Sequence, residues 1–221
     1  MADKEILIFV EGPSDKVFLE AYLYFLEDIP IKNFKVKDVT GKDNLSKRLL
    51  EIEKYDKTLI IFDADKDYES NKKEILSKTQ QKITEEQIFL FPNNQDDGDL
   101  ETLLLEIAKH DEFLKCFEGY LECIKSKEHY KPIKNISKSK WYAYLEVFEL
   151  QNFFKDKRNK NDKKNEEKII IDDKGKIRKE YKEEYEKLKE VIDFNSNSLI
   201  PLKDFLGQFA ENKQKTKLKI F

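Results

Sequence analysis

Four short apolar runs, at residues 5–10, 34–39, 58–63 and 87–91, alternate with helical patterns through the first half of the chain, and this alternation restricts the fold more than any other feature. Each run is five or six residues long and rich in Ile, Val and Phe, and reads as a buried strand. Between them, residues 14–27 place Val17, Phe18, Ala21, Tyr22 and Phe25 on one helical face, and residues 43–54 do the same with Leu45, Leu49 and Ile52. Residues 69–81 repeat the pattern more weakly, through Ile75 and Leu76. Strand, crossover helix and strand at this spacing predict a parallel sheet with helices on its faces. In the common order 2-1-3-4, the first and third strands are neighbours, and ligands bind beyond their carboxyl ends.

Three of the runs lead directly into acidic clusters. Glu11-Gly12-Pro13-Ser14-Asp15 follows the first, Asp63-Ala64-Asp65-Lys66-Asp67 the third, and Asp96-Asp97-Gly98-Asp99-Leu100-Glu101 the fourth. Carboxylates gathered at one sheet edge repel one another unless a cation neutralises them, and hard oxygen donors suit Mg²⁺ or Mn²⁺. The first cluster also has an ordinary helix-start reading, with Pro at the first helical position, Ser as cap and Asp complementing the dipole. The second is more selective. If the strand continues, Asp63 and Asp65 point the same way and can share an ion. A calcium hand requires Gly where Tyr68 stands and a helix where residues 59–62 read as a strand. An aspartyl-phosphate phosphatase leaves Glu11 unexplained. Glu101 falls in the first turn of the helix after the fourth strand, within reach of the same edge, and is expected to belong to the site. Asp67, Asp96, Asp97 and Asp99 are open between site and turn roles, with Asp99 a candidate helix cap.

Charge is divided along the chain. Residues 1–110 carry 24 Asp and Glu against 16 Lys and Arg, and the remainder carries 21 against 26, within a net charge of −3. An acidic first half beside a basic second half matches a cation-loaded centre next to a surface that grips a polyanion, DNA or RNA. From Leu100 onward the pattern is helical: residues 99–109, 111–125 with Gly119 as a possible break, 138–155, 178–192 and 201–210. Residues 156–168 contain no apolar side chain and are expected to form a mobile loop, with a small hairpin at 169–177 and a frayed basic tail from 213. No apolar run approaches the ~18–20 residues that cross a bilayer. Cys116 and Cys123 read as reduced thiols on a helix, and a cytoplasmic protein without a membrane partner is expected. Neither a P-loop nor a dinucleotide-binding glycine pattern occurs. The expected division is 1–110 for the acidic domain and 111–221 for a helical, basic extension.

Glu11-Gly-Pro-Ser-Asp15 after strand one, Asp63-Ala-Asp65 after strand three, and Pro92-Asn-Asn through Leu100-Glu-Thr-Leu-Leu104 resemble the TOPRIM domain. The likeness is nearest to bacterial stand-alone TOPRIM proteins related to the overcoming-lysogenisation-defect nucleases, whose first motif reads Glu-Gly-x-Ser-Glu. It covers about residues 4–108, with a vaguer match between Ile192 and Leu206. The resemblance implies an α/β fold with an open, mostly parallel four-stranded sheet flanked by helices and a largely helical C-terminal extension. It implies two Mg²⁺ or Mn²⁺ ions held by Glu11, Asp15, Asp63 and Asp65, and phosphodiester hydrolysis of nucleic acid. It also implies a basic residue that steadies the scissile phosphate, for which Lys140 and Lys138 are candidates, with Lys42 and Lys66 as alternatives. A non-cleaving nucleic-acid or partner-binding module and a small-molecule phosphatase are the rival readings. A homodimer or an ATPase partner is compatible with the sequence, which selects neither.

Overall fold

The computed structural model describes residues 6–26, 31, 34–154 and 182–210. The expected loop at 156–168, hairpin at 169–177 and tail from 213 lie outside the described residues. Four strands, β1 (Ile6–Val10), β2 (Phe34–Asp38), β3 (Lys57–Asp63) and β4 (Ile88–Phe91), form one sheet in the order β2-β1-β3-β4, and every pairing is parallel. This is the 2-1-3-4 order expected from the βαβ spacing. Helices α1 (Pro13–Phe25), α2 (Leu49–Ile52) and α3 (Tyr68–Lys78) lie between the strands. They are followed by α4 (Leu100–Glu106), α5 (Asp111–Lys125), α6 (Ile136–Val147), α7 (Lys182–Val191) and α8 (Ile200–Gly207).

The apolar character of β1, β3 and β4 follows from burial on two sides, whereas the edge strand β2 buries only Val36. Ile6, Ile8, Val10, Leu59, Ile61, Phe89 and Phe91 face one core, shared with Phe18 and Tyr22 of α1 and Leu103 of α4. Leu7, Phe9, Ile60, Phe62, Ile88 and Leu90 face the other, closed by Leu45, Ile52 and Ile75. Residues beyond 110 join the first core: Trp141, Tyr144, Leu145, Leu188, Val191, Phe205 and Leu206 are all buried in it. Trp141 stacks on Tyr144 and meets Phe154 edge-on, so it anchors this core rather than offering a surface for bases.

Three helical expectations change in detail. Residues 42–48 form a 3₁₀ segment, Lys42–Arg48, with one α-helical turn after it. Asn44 there donates its side-chain amide to the Thr40 carbonyl (2.7 Å), a local bond of the kind that competes with α-helical winding. Gly119 does not break α5, which runs through it. Helix α6 begins two residues before the expected start because the Asn135 side chain accepts from Lys138 N (3.0 Å), and it ends at Val147, before Glu149 with φ of 58°. Among the described residues no helix is long and apolar enough to cross a membrane.

Candidate cation cleft at the carboxyl edge of the sheet

Because β1 and β3 are hydrogen-bonded neighbours with Val10 opposite Ile61, Glu11 leaves β1 beside the end of β3, where Asp63 is the last residue. The turn into α1 is tight. Gly12 is the cap residue, Pro13 opens the helix, and the Asp15 carboxylate accepts from Gly12 N (3.1 Å). Ser14, expected as the cap, instead donates its hydroxyl to the Phe154 carbonyl (3.2 Å) and lies 3.3 Å from the Tyr142 hydroxyl, tying this turn to α6. At the other side of the edge, Asp99 caps α4 through Thr102 N (2.8 Å), which places Glu101 in the first turn and turns it inward. Asp63 Oδ1 accepts from Leu100 N (2.9 Å) at the same helix start.

Glu11, Asp15, Asp63 and Glu101 thereby line one cleft of about 310 Å³, together with Lys138 from α6 and the Thr40–Gly41 turn after β2. Asp15 and Glu101 are almost fully buried, and the oxygens Glu11 Oε2 and Asp15 Oδ1 are buried with no hydrogen-bond partner among the described residues. Burial, then the charges of Glu101 and Glu11, push the Asp15 carboxyl up to about 7 despite the backbone amides that face it. Burial, then Asp15, Glu11 and Glu101, hold Asp63 well above the carboxylate range. Burial also raises Glu11, opposed by Lys42, and raises Glu101, opposed by Lys138. Burial draws the Lys138 ammonium down, but Glu101, 3.6 Å from Nζ, with Tyr142, Asp15 and Asp63, outweighs it and raises the lysine.

The donor set therefore suits a hard divalent cation: four carboxylates, two with buried unpaired oxygens, each penalised for its charge. Among the described residues no three His, Cys, Asp or Glu side chains are gathered into a ready-made ion cage, so the fit rests on donor chemistry and the shared cleft.

Asp65 is placed differently from the other expected ligands. Strand β3 ends at Asp63, Ala64 N donates to the Phe91 carbonyl, and Asp65 takes a left-handed backbone with φ of 54°. The alternation that would align Asp65 with Asp63 is broken there. Its carboxylate is 54% exposed, outside the cleft lining, and paired with Lys42. Lys140 also lies outside, bonded to Glu118 of α5 at 2.5 Å, whereas Lys138 enters the cleft. Lys66 borders a wider depression of about 500 Å³ with Asp67, Tyr68 and Asn94. Asp67 caps α3 through Ser70 N (2.9 Å), Asp97 accepts from Tyr68 N (2.8 Å), and Asp96 accepts from Asn93 (2.7 Å). These three serve turns. Sequence reasoning passed over Asn71, a buried side chain of α3 that accepts from Lys42. A lone amide four residues before buried Ile75 was the available signal.

The geometry defines an α/β protein with an acidic cleft at the switch point of a parallel sheet. The chain belongs to the DUF3226 family, a family of proteins of unknown function, whose model matches residues 5–211. No curated protein and no solved structure matches the chain.

Proposed function

We propose that this protein is a divalent-metal-dependent phosphodiesterase of the TOPRIM class, a nuclease acting on DNA or RNA. The observation that carries the reading is the convergence of Glu11, Asp15, Asp63 and Glu101 on one cleft with Lys138 at its rim. The strand order and the spacing of the Glu-Gly-Pro-Ser-Asp and Asp-Ala-Asp motifs support it. The four carboxylates would hold Mg²⁺ or Mn²⁺, which when bound supplies charge stabilisation and an acidified water. Lys138, already charged and facing Glu101, neutralises a non-bridging phosphate oxygen once the polymer enters. Gly41, with φ of 97°, makes the turn that borders the cleft. The basic excess beyond residue 110 grips the remaining phosphates and makes binding fall with salt. The free thiols of Cys116 and Cys123 fit a reducing, cytoplasmic setting.

The engagement of Asp65 by Lys42 favours, as a second reading, a module that binds nucleic acid without cutting it. Incubation with supercoiled plasmid, single-stranded DNA and structured RNA separates the two. Cleavage that requires Mg²⁺ or Mn²⁺ and stops with chelator is expected, and Lys138→Ala should slow it by about 10²–10³-fold. Salt-sensitive binding without cleavage of any polymer would favour the second reading.

A further inference from the structure

Lys42 follows Gly41 at the turn after β2, and its side chain is only 13% exposed. Its ammonium donates to Asp65 Oδ2 and to Asn71 Oδ1. Both acceptors stand on anchored segments. Asn71 is 9% exposed, and its own amide donates to the Ala64 and Asp67 carbonyls. The Asp65 backbone is pinned to Gly98 by two hydrogen bonds, Asp65 N to Gly98 O (2.7 Å) and Gly98 N to Asp65 O (2.8 Å). The ammonium thus occupies a built position beside the cleft, and Lys42 is the positive charge that acts most strongly on Glu11. Lys138 stands within the cleft lining, against Glu101.

We propose that Lys42 is a resident cation standing where a second metal ion would bind, so that the protein takes up one divalent cation, through Glu11, Asp15, Asp63 and Glu101, and none at Asp65. The proposal rests on the cation-binding reading of the cleft and replaces the two-ion expectation. A divalent ion at Asp65 would have to evict Lys42, leaving the buried Asn71 Oδ1 without its donor and bringing two positive charges together. The inner carboxylates face no such obstacle, since Glu11 Oε2 and Asp15 Oδ1 have no partner to lose among the described residues. An ammonium has three donors, and Asp65 and Asn71 use two. The third is available to an oxygen of a bound phosphate, giving Lys42 a share of the charge neutralisation that a second ion would supply.

The test is a count of Mn²⁺ bound to the metal-free full chain, by calorimetry and by the spin-resonance signal of free Mn²⁺. Wild type, Asp65→Asn, Lys42→Gln and the Lys42→Gln/Asp65→Asn double variant are compared. Glutamine keeps a donor for Asn71 and so spares the fold, and Lys42→Arg serves as a charge-preserving control. One ion is expected for wild type, Asp65→Asn and Lys42→Arg, two for Lys42→Gln, and one again for the double variant. Two ions on wild type with one on Asp65→Asn would overturn the role of Lys42 while leaving the cation reading intact. A single ion on Lys42→Gln would overturn it equally. No ion on wild type would end the cation reading itself, and this proposal with it.

Discussion

Asp63→Asn is expected to abolish cation-dependent cleavage and at the same time to make the metal-free protein more stable. The two effects have one cause. Asp63 is buried at the end of β3 and its charge is opposed by burial and by Asp15, Glu11 and Glu101. Asparagine keeps the oxygen that accepts from Leu100 N and offers donors to the carboxylates around it. Removing one repelled buried charge should raise stability near pH 8 by about 1–3 kcal/mol. The same change removes a ligand from the proposed cation site, and a loss of several kcal/mol of transition-state stabilisation would slow the proposed cleavage by about 10³-fold or more. Thermal unfolding without divalent cations and cleavage rates with them read the two arms. A variant that loses stability in the metal-free state would contradict the repulsion assigned to the Asp63 charge, since the bond from Leu100 N is kept.

The second large effect is an inverted pH dependence of stability. Asp15 is held at about 7 in the folded protein against an ordinary 3.8, and Glu11, Asp63 and Glu101 are raised as well. Between about pH 4 and pH 7 the native state therefore binds more protons than the unfolded chain, and stability falls as pH rises. The contribution is fully present below the unfolded values and is lost as pH passes through the folded ones. For Asp15 alone the ionised form is disfavoured by about 4 kcal/mol at most, and the repelling neighbours share that figure rather than add to it. Asp43 and Asp111 are lowered by Lys78 and Lys115 and act in the opposite direction, but both are fully exposed and their ion pairs are screened. Unfolding scans in chelator should give a higher melting temperature at pH 5 than at pH 7.5. Millimolar Mn²⁺ should restore the loss at pH 7.5, by about 2.7 kcal/mol at a hundredfold excess over its dissociation constant. A flat profile with no response to Mn²⁺ would show that the carboxylates neither repel nor share an ion.

Most of what places the cleft was legible before any coordinates. Three of the runs are nearly continuous because both sheet faces are covered at β1, β3 and β4, and such runs define strands with little ambiguity; the edge strand β2, with Lys35, Lys37 and Asp38, is the exception. The 2-1-3-4 order then makes Glu11 and Asp63 neighbours without further information. Glu101 was legible as a first-turn residue, although its burial required the Asp99 cap to set the helix start. Asp65 was not legible, because one left-handed residue after the strand undoes the period-two rule and sequence does not announce it for an aspartate. The choice between Lys138 and Lys140 turns on helix phase. The two are separated by about 200° on an α-helix, and a start moved two residues by the Asn135 cap decides which one faces Glu101. The partnership of Lys42 with Asn71 joins the turn after β2 to α3, a contact between distant segments that no local pattern encodes.

The most direct measurement sets wild type beside Glu11→Gln on supercoiled plasmid, single-stranded DNA and structured RNA, with Mg²⁺ or Mn²⁺ and with chelator. Glu11 is the residue that the end of β1 delivers to the cleft, and glutamine preserves its size while removing its charge. Cleavage of at least one polymer by wild type, lost in chelator and lost in Glu11→Gln, is the result this account predicts. Equal cleavage by both proteins, or none by wild type while it still binds Mn²⁺, would contradict it.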